Sequence, residues 1–395
     1  MKICYVISTV NIAGGANRSL LDLLPYIKAA GHECTILACA HGSMEEAARD
    51  LDIAYKVIPF STYTETDVPI KRVRRRAANI YGKYAIALFL QSERFDILHN
   101  NSLPTAAGMD AAAMIGIPYI CHIRENIWNG LGMEFYCPSK IKSILRKASI
   151  NIAISDFIAE SYQGFEPAAR FMTLNDGIRT DDYYCERKIF ESDTIQIGMV
   201  GVINPQKGQK EAAKAVELLH ESGYTNIEMD IIGDNGLWRG TRNYANDLKK
   251  DLKNRSIEYI HFIPSIESIE NLRLQRSKYD INLICSNAEG LGRTTIESML
   301  SGSLTIAANA GATPEILADK KYGLLYESGN ASDLAKRIAY AVTHKDEMRQ
   351  IANKAQLYAR DRFSIDRYAE QVLSIYDQVL LGERETNERA KFFDN

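Results

Sequence analysis

The chain has 395 residues, 46% hydrophobic and 25% charged, which is too long for one ordinary core and suits two globular domains of roughly 150–200 residues each. The formal net charge of −3 gives no global attraction to nucleic acid, and the absence of an apolar run of roughly 18 residues excludes an expected spanning helix. Seven cysteines (Cys4, Cys34, Cys39, Cys121, Cys137, Cys185 and Cys285) contain no CxxC pair and sit mostly in apolar stretches, the pattern of reduced thiols in a cytoplasmic protein.

The N-terminal MKICYVISTV has too short an apolar run for a signal peptide, and its β-branched residues predict a buried strand. GGANRSLLDLLPYIKAAGH then predicts a glycine turn and a helix, and ECTILACA, FDILHNN, PYICHIRE and INIAIS predict further strands. A second series begins near residue 195: strand IQIGMVGVI, helix KEAAKAVELLHESG, strands IEMDIIGDNG, IEYIHFI and YDINLICS, helix TTIESMLSG, strands LTIAAN and YGLLYE. This βαβ order predicts two doubly wound α/β halves with parallel sheets, and ligands at the carboxyl ends of the strands in a cleft between them. The expected domains are 1–185 and 186–365. A helix near 366–381 is expected to pack back on the first, and a frayed polar tail to follow at 383–395.

Several stretches carry chemistry. In SNAEGLGRTTIESMLSG, Glu289 falls in a loop after a strand and Glu297 beside the apolar face of a helix. Two carboxylates at a sheet edge accept paired hydrogen bonds from adjacent hydroxyls, as in a ribose or hexose diol. On spacing alone, Glu297 paired with Arg293 four residues earlier is an equal reading. Arg293, though, falls at the helix start, where a cation opposes the macrodipole and a bound phosphate would reverse the penalty. GLGRTT imitates a dinucleotide fingerprint, but Thr295 replaces the third glycine and no acid closes the next strand. In GVINPQKGQKEAAKA, Lys207 precedes a helix whose first N–H groups suit a diphosphate, unless it is a solvated lysine. The paired Gly14 and Gly15 allow close backbone approach to a ligand, or make an ordinary βα turn. His122, Arg124 and Glu125 end a first-half strand, as reacting groups or as a satisfied histidine beside an ion pair. Asn175-Asp176-Gly177 reads best as a plain turn. KRVRRR, residues 71–76, begins a helix that either lies on an anionic membrane or is solvated.

Together these stretches resemble the retaining GT-B glycosyltransferases of the family-four (group 1) type, over nearly the whole chain. The glycine loop, NDGI, the Lys207-Gly208 loop, EGLGRTTIESMLSGSLTIAANAGATPEIL and YGLLYESGNASDLAKRI occur in the family's order, and Glu289 and Glu297 reproduce its E-x7-E spacing. The resemblance implies two Rossmann-like domains facing across a cleft and transfer of a sugar from a UDP- or GDP-linked donor to a saccharide or lipid-linked acceptor hydroxyl, in bacterial-type surface polysaccharide or glycolipid assembly. It implies no cofactor beyond that co-substrate and no metal; the one Asp-x-Asp, Asp50-Leu51-Asp52, lies in the other half from the donor loops. Glu289 would touch the donor sugar, Glu297 the ribose and Lys207 the diphosphate. Gly290, Leu291, Gly292, Arg293 and Thr294 would line the donor site, and Gly14 and Gly15 would let the first domain close on it. Two departures stand out: Val202 occupies a position where many members have arginine, and Arg124-Glu125 falls where many have a His-Asp pair. His122 and Arg124 are thus the acceptor-side catalytic candidates. A sugar-nucleotide epimerase and a non-catalytic sugar-nucleotide binder are the alternatives. The implied location is the cytoplasm, with peripheral attachment to the inner membrane face.

Overall fold

The computed structural model describes residues 1–12, 14–234 and 242–393, with the backbone alone for 242 and 383–393. Ala13 of the glycine loop and the end of the IEMDIIGDNG segment lie outside the described residues, as do the tail's side chains and residues 394–395. The chain divides into two compact units, Met1–Ile178 with Ile365–Asn395, and Arg179–Ser364.

The first unit is built on β1 (Lys2–Val6), β2 (Glu33–Ala38), β3 (Ala54–Val57), β4 (Ile97–Asn100), β5 (Tyr119–Ile123), β6 (Ile150–Ala153) and β7 (Phe171–Thr173). Its helices are α1 (Gly15–Ala29), α2 (Ser43–Asp50), α3 (Pro69–Ser92), α4 (Ala107–Ile115), α5 (Pro138–Lys147) and α6 (Asp156–Phe165). Among the described residues the strands form one parallel sheet in the order β3-β2-β1-β4-β5-β6-β7, with Lys2 opposite Glu33 on one side of β1 and Ile3 opposite Ile97 on the other. The sheet is covered on both faces, so its strands are near-continuous apolar runs, as in the buried Ile3, Cys4, Tyr5 and Val6. Leu20, Leu23, Leu24 and Ile27 recur at helical spacing on α1 and are buried against it.

The second unit carries β8 (Ile195–Val200), β9 (Ile227–Ile232), β10 (Ile260–Ile263), β11 (Ile281–Ile284), β12 (Leu304–Ala308) and β13 (Leu324–Tyr326). Its helices are α7 (Gln209–Glu221), α8 (Arg242–Asn254), α9 (Ile269–Arg276), α10 (Arg293–Leu300), α11 (Thr313–Ile316), α12 (Ala331–Thr343) and α13 (Lys345–Arg362). Its parallel sheet runs β10-β9-β8-β11-β12-β13. Both sheets are thus doubly wound, with the order reversing between β1 and β4 in one and between β8 and β11 in the other. The short strands β3 and β7 escape the sequence reading, β3 because it alternates exposed and half-buried residues and β7 because it has only three.

The helix expected near 366–381 is α14 (Ile365–Phe393), which belongs to the first unit although it follows the second in the chain. Tyr368, Val372 and Tyr376 enter the same core as Ile3, Tyr5 and Leu20. The Tyr376 hydroxyl is the polar centre of that core, 3.0 Å from the Tyr5 hydroxyl and 2.7 Å from His99 Nδ1. Tyr376→Phe should therefore strand a buried polar atom and cost about 1–3 kcal/mol, read as a lower denaturant midpoint.

Candidate functional site

The site-bearing segments of the second unit leave the carboxyl ends of β8 and β11, the two strands beside the order reversal. After β8 the chain turns through a short 3-10 segment, Pro205–Lys207, whose cap Asn204 accepts the Lys207 backbone N–H at 3.1 Å. Gly208 follows at φ +74°, a left-handed conformation, and a Cβ there would lie 2.5 Å from the Cys285 carbonyl oxygen. Only glycine lets the loop press against the end of β11 before α7 begins. Buried Gln209 ties the loop back, donating to the Val202 carbonyl at 3.0 Å.

The loop after β11 carries Glu289, and Lys207 donates to its carboxylate. Burial opposes ionisation of Glu289, but the Lys207 charge and hydrogen bonds from Lys207 and Ser286 outweigh it and hold the carboxyl below its ordinary range. The Glu289 carbonyl accepts the Ala312 N–H at 3.0 Å, which fixes the loop from the β12 side. Gly292 at φ +85° then caps α10, with Leu291 buried beneath and Gly290 and Thr294 half-buried on either side. Arg293, half-buried, is the first residue of α10, whose first turn contains no acid.

Glu297 does not depend on Arg293 for its ion pair. Arg276, at the end of α9, donates from Nη2 to Glu297 Oε2 at 2.8 Å, and the side chains are 1% and 7% exposed. The i,i+4 spacing gives no sign of this arginine. No sequence signal singled out Arg276, which lies 21 residues away and reaches Glu297 only through the fold, from the end of α9.

The first-unit candidates lie apart from these in the chain and in the other unit. Gly14 is the N-cap of α1 with an extended backbone (φ −79°, ψ 140°), so its conformation does not demand glycine. Its missing side chain leaves open space, with only Thr9 Oγ1 at 4.0 Å from a Cβ built there, and both Gly14 and Gly15 are exposed. Buried Asn17 holds the loop by donating to the carbonyls of Thr9 and Asn11 at 2.9 and 2.8 Å.

His122 lies within β5 and is fully buried, and Arg124 just beyond it is 6% exposed. Arg124 pairs with Asp176, which also accepts the Ser19 hydroxyl at 2.8 Å. Asp176, read from sequence as part of a plain turn, is a buried anchor joining β5, α1 and the end of the first unit. Burial, then the neighbouring Arg124 charge, holds His122 well below its ordinary range and pushes His99 down to about 3, so both rings are neutral. His99 Nε2 lies 3.2 Å from His122 Nδ1, which makes the pair part of the core's polar network. Glu125 is pushed up by burial, against a hydrogen bond from Ser102. Asp52 of the Asp-x-Asp pairs with Lys28 at 3.2 Å beyond α2.

The chain belongs to the GT-B glycosyltransferases of the family-four type. Residues 13–182 match the family model "Glycosyltransferase Family 4", and residues 186–358 match "Glycosyl transferases group 1". A glycosyltransferase of Methanocaldococcus jannaschii is 20% identical over 344 residues, 83% of this chain and 91% of that one. The O-antigen biosynthesis glycosyltransferase WclY of Escherichia coli is 23% identical over 304 residues, 73% of this chain and 80% of the relative. Among solved structures, Anabaena HepE in complex with UDP superposes with a TM-score of 0.80 at 18% identity, covering 96% of this chain and 100% of that one. HepE in complex with UDP-glucose gives 0.76, with the same identity and coverage.

Removing Glu297 would leave Arg276 charged and buried without its partner. Glu297→Ala should destabilise the second unit by about 3–5 kcal/mol, whereas the double variant Arg276→Met/Glu297→Leu should recover most of that loss. Thermal unfolding of the two variants beside the parent checks this.

Proposed function

We propose that the protein transfers a sugar from a nucleotide-sugar donor to an acceptor hydroxyl with retention, without a metal, in assembly of a surface polysaccharide or glycolipid. The observation that carries the reading is the Lys207–Glu289 pair at the order reversal of the second sheet. The nucleotide ligands of HepE and the O-antigen role in WclY's name give it support.

In this reading the donor diphosphate draws Lys207 toward its own charge, and Glu289 turns to the donor sugar's hydroxyls. Arg276 engages Glu297 Oε2, and Oε1 accepts from the ribose. Gly290, Leu291, Gly292 and Thr294 bring backbone and hydroxyl groups to the donor. Lys207, Arg293 and the N-terminus of α10 stabilise the departing diphosphate as its charge grows. The leaving phosphate takes the acceptor's proton on the face from which the acceptor attacks. Gly14 and Gly15 leave room above α1, while Arg124 and His122 act from beneath the surface to fix the first unit's loops. The direct experiment is incubation with UDP- and GDP-sugars. A transferase releases nucleoside diphosphate only when given acceptor; sugar conversion without acceptor would mark an epimerase, and binding without turnover a non-catalytic module.

Arg293 takes the diphosphate contact that an arginine at Val202 would otherwise make. A contact to charge that grows in the transition state acts on turnover more than on ground-state binding. Arg293→Ala should lower kcat/KM by about 10- to 150-fold, the worth of one charge-assisted hydrogen bond, with the fold intact. Adding Val202→Arg, at a position 47% exposed, should return part of the loss. Near-normal kinetics in Arg293→Ala would sink this assignment.

The cytoplasmic protein also rests on the membrane's inner face through α3. Its outward residues Ile70, Val73, Ile80, Tyr81, Tyr84 and Leu88 are all more than half exposed and fall within an arc of roughly 100°. Lys71 and Arg74 flank that arc on one side, Arg76 and Lys83 on the other, and no described helix is long and apolar enough to cross a membrane. Each basic residue near an anionic surface contributes about 1 kcal/mol. Sedimentation with phosphatidylserine vesicles should show binding at low salt that fades as salt rises, and vesicles of neutral lipid should bind far less.

A further inference from the structure

Arg276 is among the largest side chains that the fold buries completely, and it is the last residue of α9. The chain beyond it is pinned. The Arg276 carbonyl accepts the Tyr279 N–H at 3.2 Å, and the Tyr279 ring lies against Gly198 of β8, where a Cβ would come within 2.2 Å of the ring. The Tyr279 hydroxyl in turn donates to Asp230 Oδ2 at 2.7 Å. The guanidinium is thus held at one place, where Glu297 of α10 meets it.

The form of the contact is poorly suited to cohesion. Arginine and carboxylate frequently pair through two parallel hydrogen bonds, which occupy both oxygens. Here one is made, from Nη2 to Oε2 at 2.8 Å, and Arg276 Nε is buried with no hydrogen-bond partner among the described residues. An unmade buried donor costs stability, and a buried ion pair adds little over apolar packing even when complete. What the one-point contact does provide is a charge on Glu297 and an oxygen, Oε1, that Arg276 does not take. Burial drives a carboxyl without a cation toward its neutral form. A neutral carboxyl turns one of its oxygens into a donor, whereas an ionised one only accepts. The two hydroxyls of a ribose diol can both donate only to a partner of the second kind, and a cation beside Glu297 keeps it so.

We propose that Arg276 is a positioning residue that makes Glu297 a reader of the ribose diol, so that the donor site selects ribonucleotides over 2′-deoxyribonucleotides through a side chain that never touches the nucleotide. The inference rests on the glycosyltransferase reading, in which Glu297 meets the ribose, and adds the group on which that contact depends.

Calorimetry on the full chain with UDP, GDP and their 2′-deoxy forms tests this, because the ratio of the two affinities cancels what base and diphosphate contribute. The parent should prefer the ribonucleotide it binds over the deoxy form by at least about 10-fold, the worth of one hydrogen bond to a charged acceptor. In Arg276→Met the preference should fall below about 3-fold, as the acceptor loses its charge. The infrared spectrum of that variant should gain a protonated-carboxyl band that the further change Glu297→Gln removes. Arg276→Gln, a second neutral variant that fills more of the site, is read in the same way if Arg276→Met does not fold. An arginine that served cohesion alone would lower the melting temperature of these variants, with the parent's preference kept and no new carboxyl band; that result overturns the inference. A parent that binds ribo- and deoxynucleotide equally also overturns it, with no variant needed. The two readings separate cleanly. If neither UDP nor GDP binds the parent, the donor reading fails and this inference with it; if the neutral variants keep the parent's preference, the donor reading stands and this inference alone fails.

Discussion

The second unit is organised around one ion pair. Where the order of a parallel sheet reverses, the helices on either side diverge and the loops at the strand ends are left without a covering element. Lys207 and Glu289 come from the loops on the two sides of that reversal, and their pairing closes the gap with charge rather than with apolar packing. The glycine at 208 exists to bring the first loop close enough, and the hydrogen bond from Ala312 to the Glu289 carbonyl keeps the second from moving away. An ion pair that is partly open to water is a holding arrangement that a more highly charged partner can displace. That property would suit the donor diphosphate proposed for this edge of the sheet.

Each unit also places an arginine–carboxylate pair beneath the loops of its sheet edge, Arg124 with Asp176 in one and Arg276 with Glu297 in the other. Buried pairs of this kind add little net stability relative to apolar packing, because desolvation consumes the attraction, yet breaking one is expensive. Their effect is positional. Arg124 joins the end of β5 to the last residues before the chain leaves the first unit, and Arg276 joins the end of α9 to the second turn of α10.

The doubly wound architecture was legible in the sequence because buried parallel strands are short continuous apolar runs, bounded by glycine and polar turns. Lys207 and Glu289 were legible for a related reason: each follows a strand and precedes a helix, so position in the βα order alone puts both at one sheet edge. Partnerships across the fold were not. Glu297 pairs with Arg276, 21 residues away in sequence, and only the fold brings the end of α9 to it. Asp176 sits in a sequence with every mark of a surface turn, and its burial comes from α1 and β5 closing over it. His122 is linked to α14, an element more than 240 residues further along the chain, through His99 and the Tyr376 hydroxyl.

The chain's route has a consequence for its synthesis. It leaves the first unit at Ile178 and re-enters at Ile365, and the Ile365 N–H donates to the Ile178 carbonyl at 3.0 Å. The second unit is thus topologically an insertion, closed at its base by a backbone hydrogen bond. On a ribosome, domains fold as they emerge, N-terminal first. Here that order is inverted: residues 179–364 have their whole unit in hand before Tyr368, Val372 and Tyr376 arrive to complete the core begun by β1. Until then the apolar groove that α14 fills stays open, and a chain stopped at residue 364 carries a complete second unit on an incomplete first one.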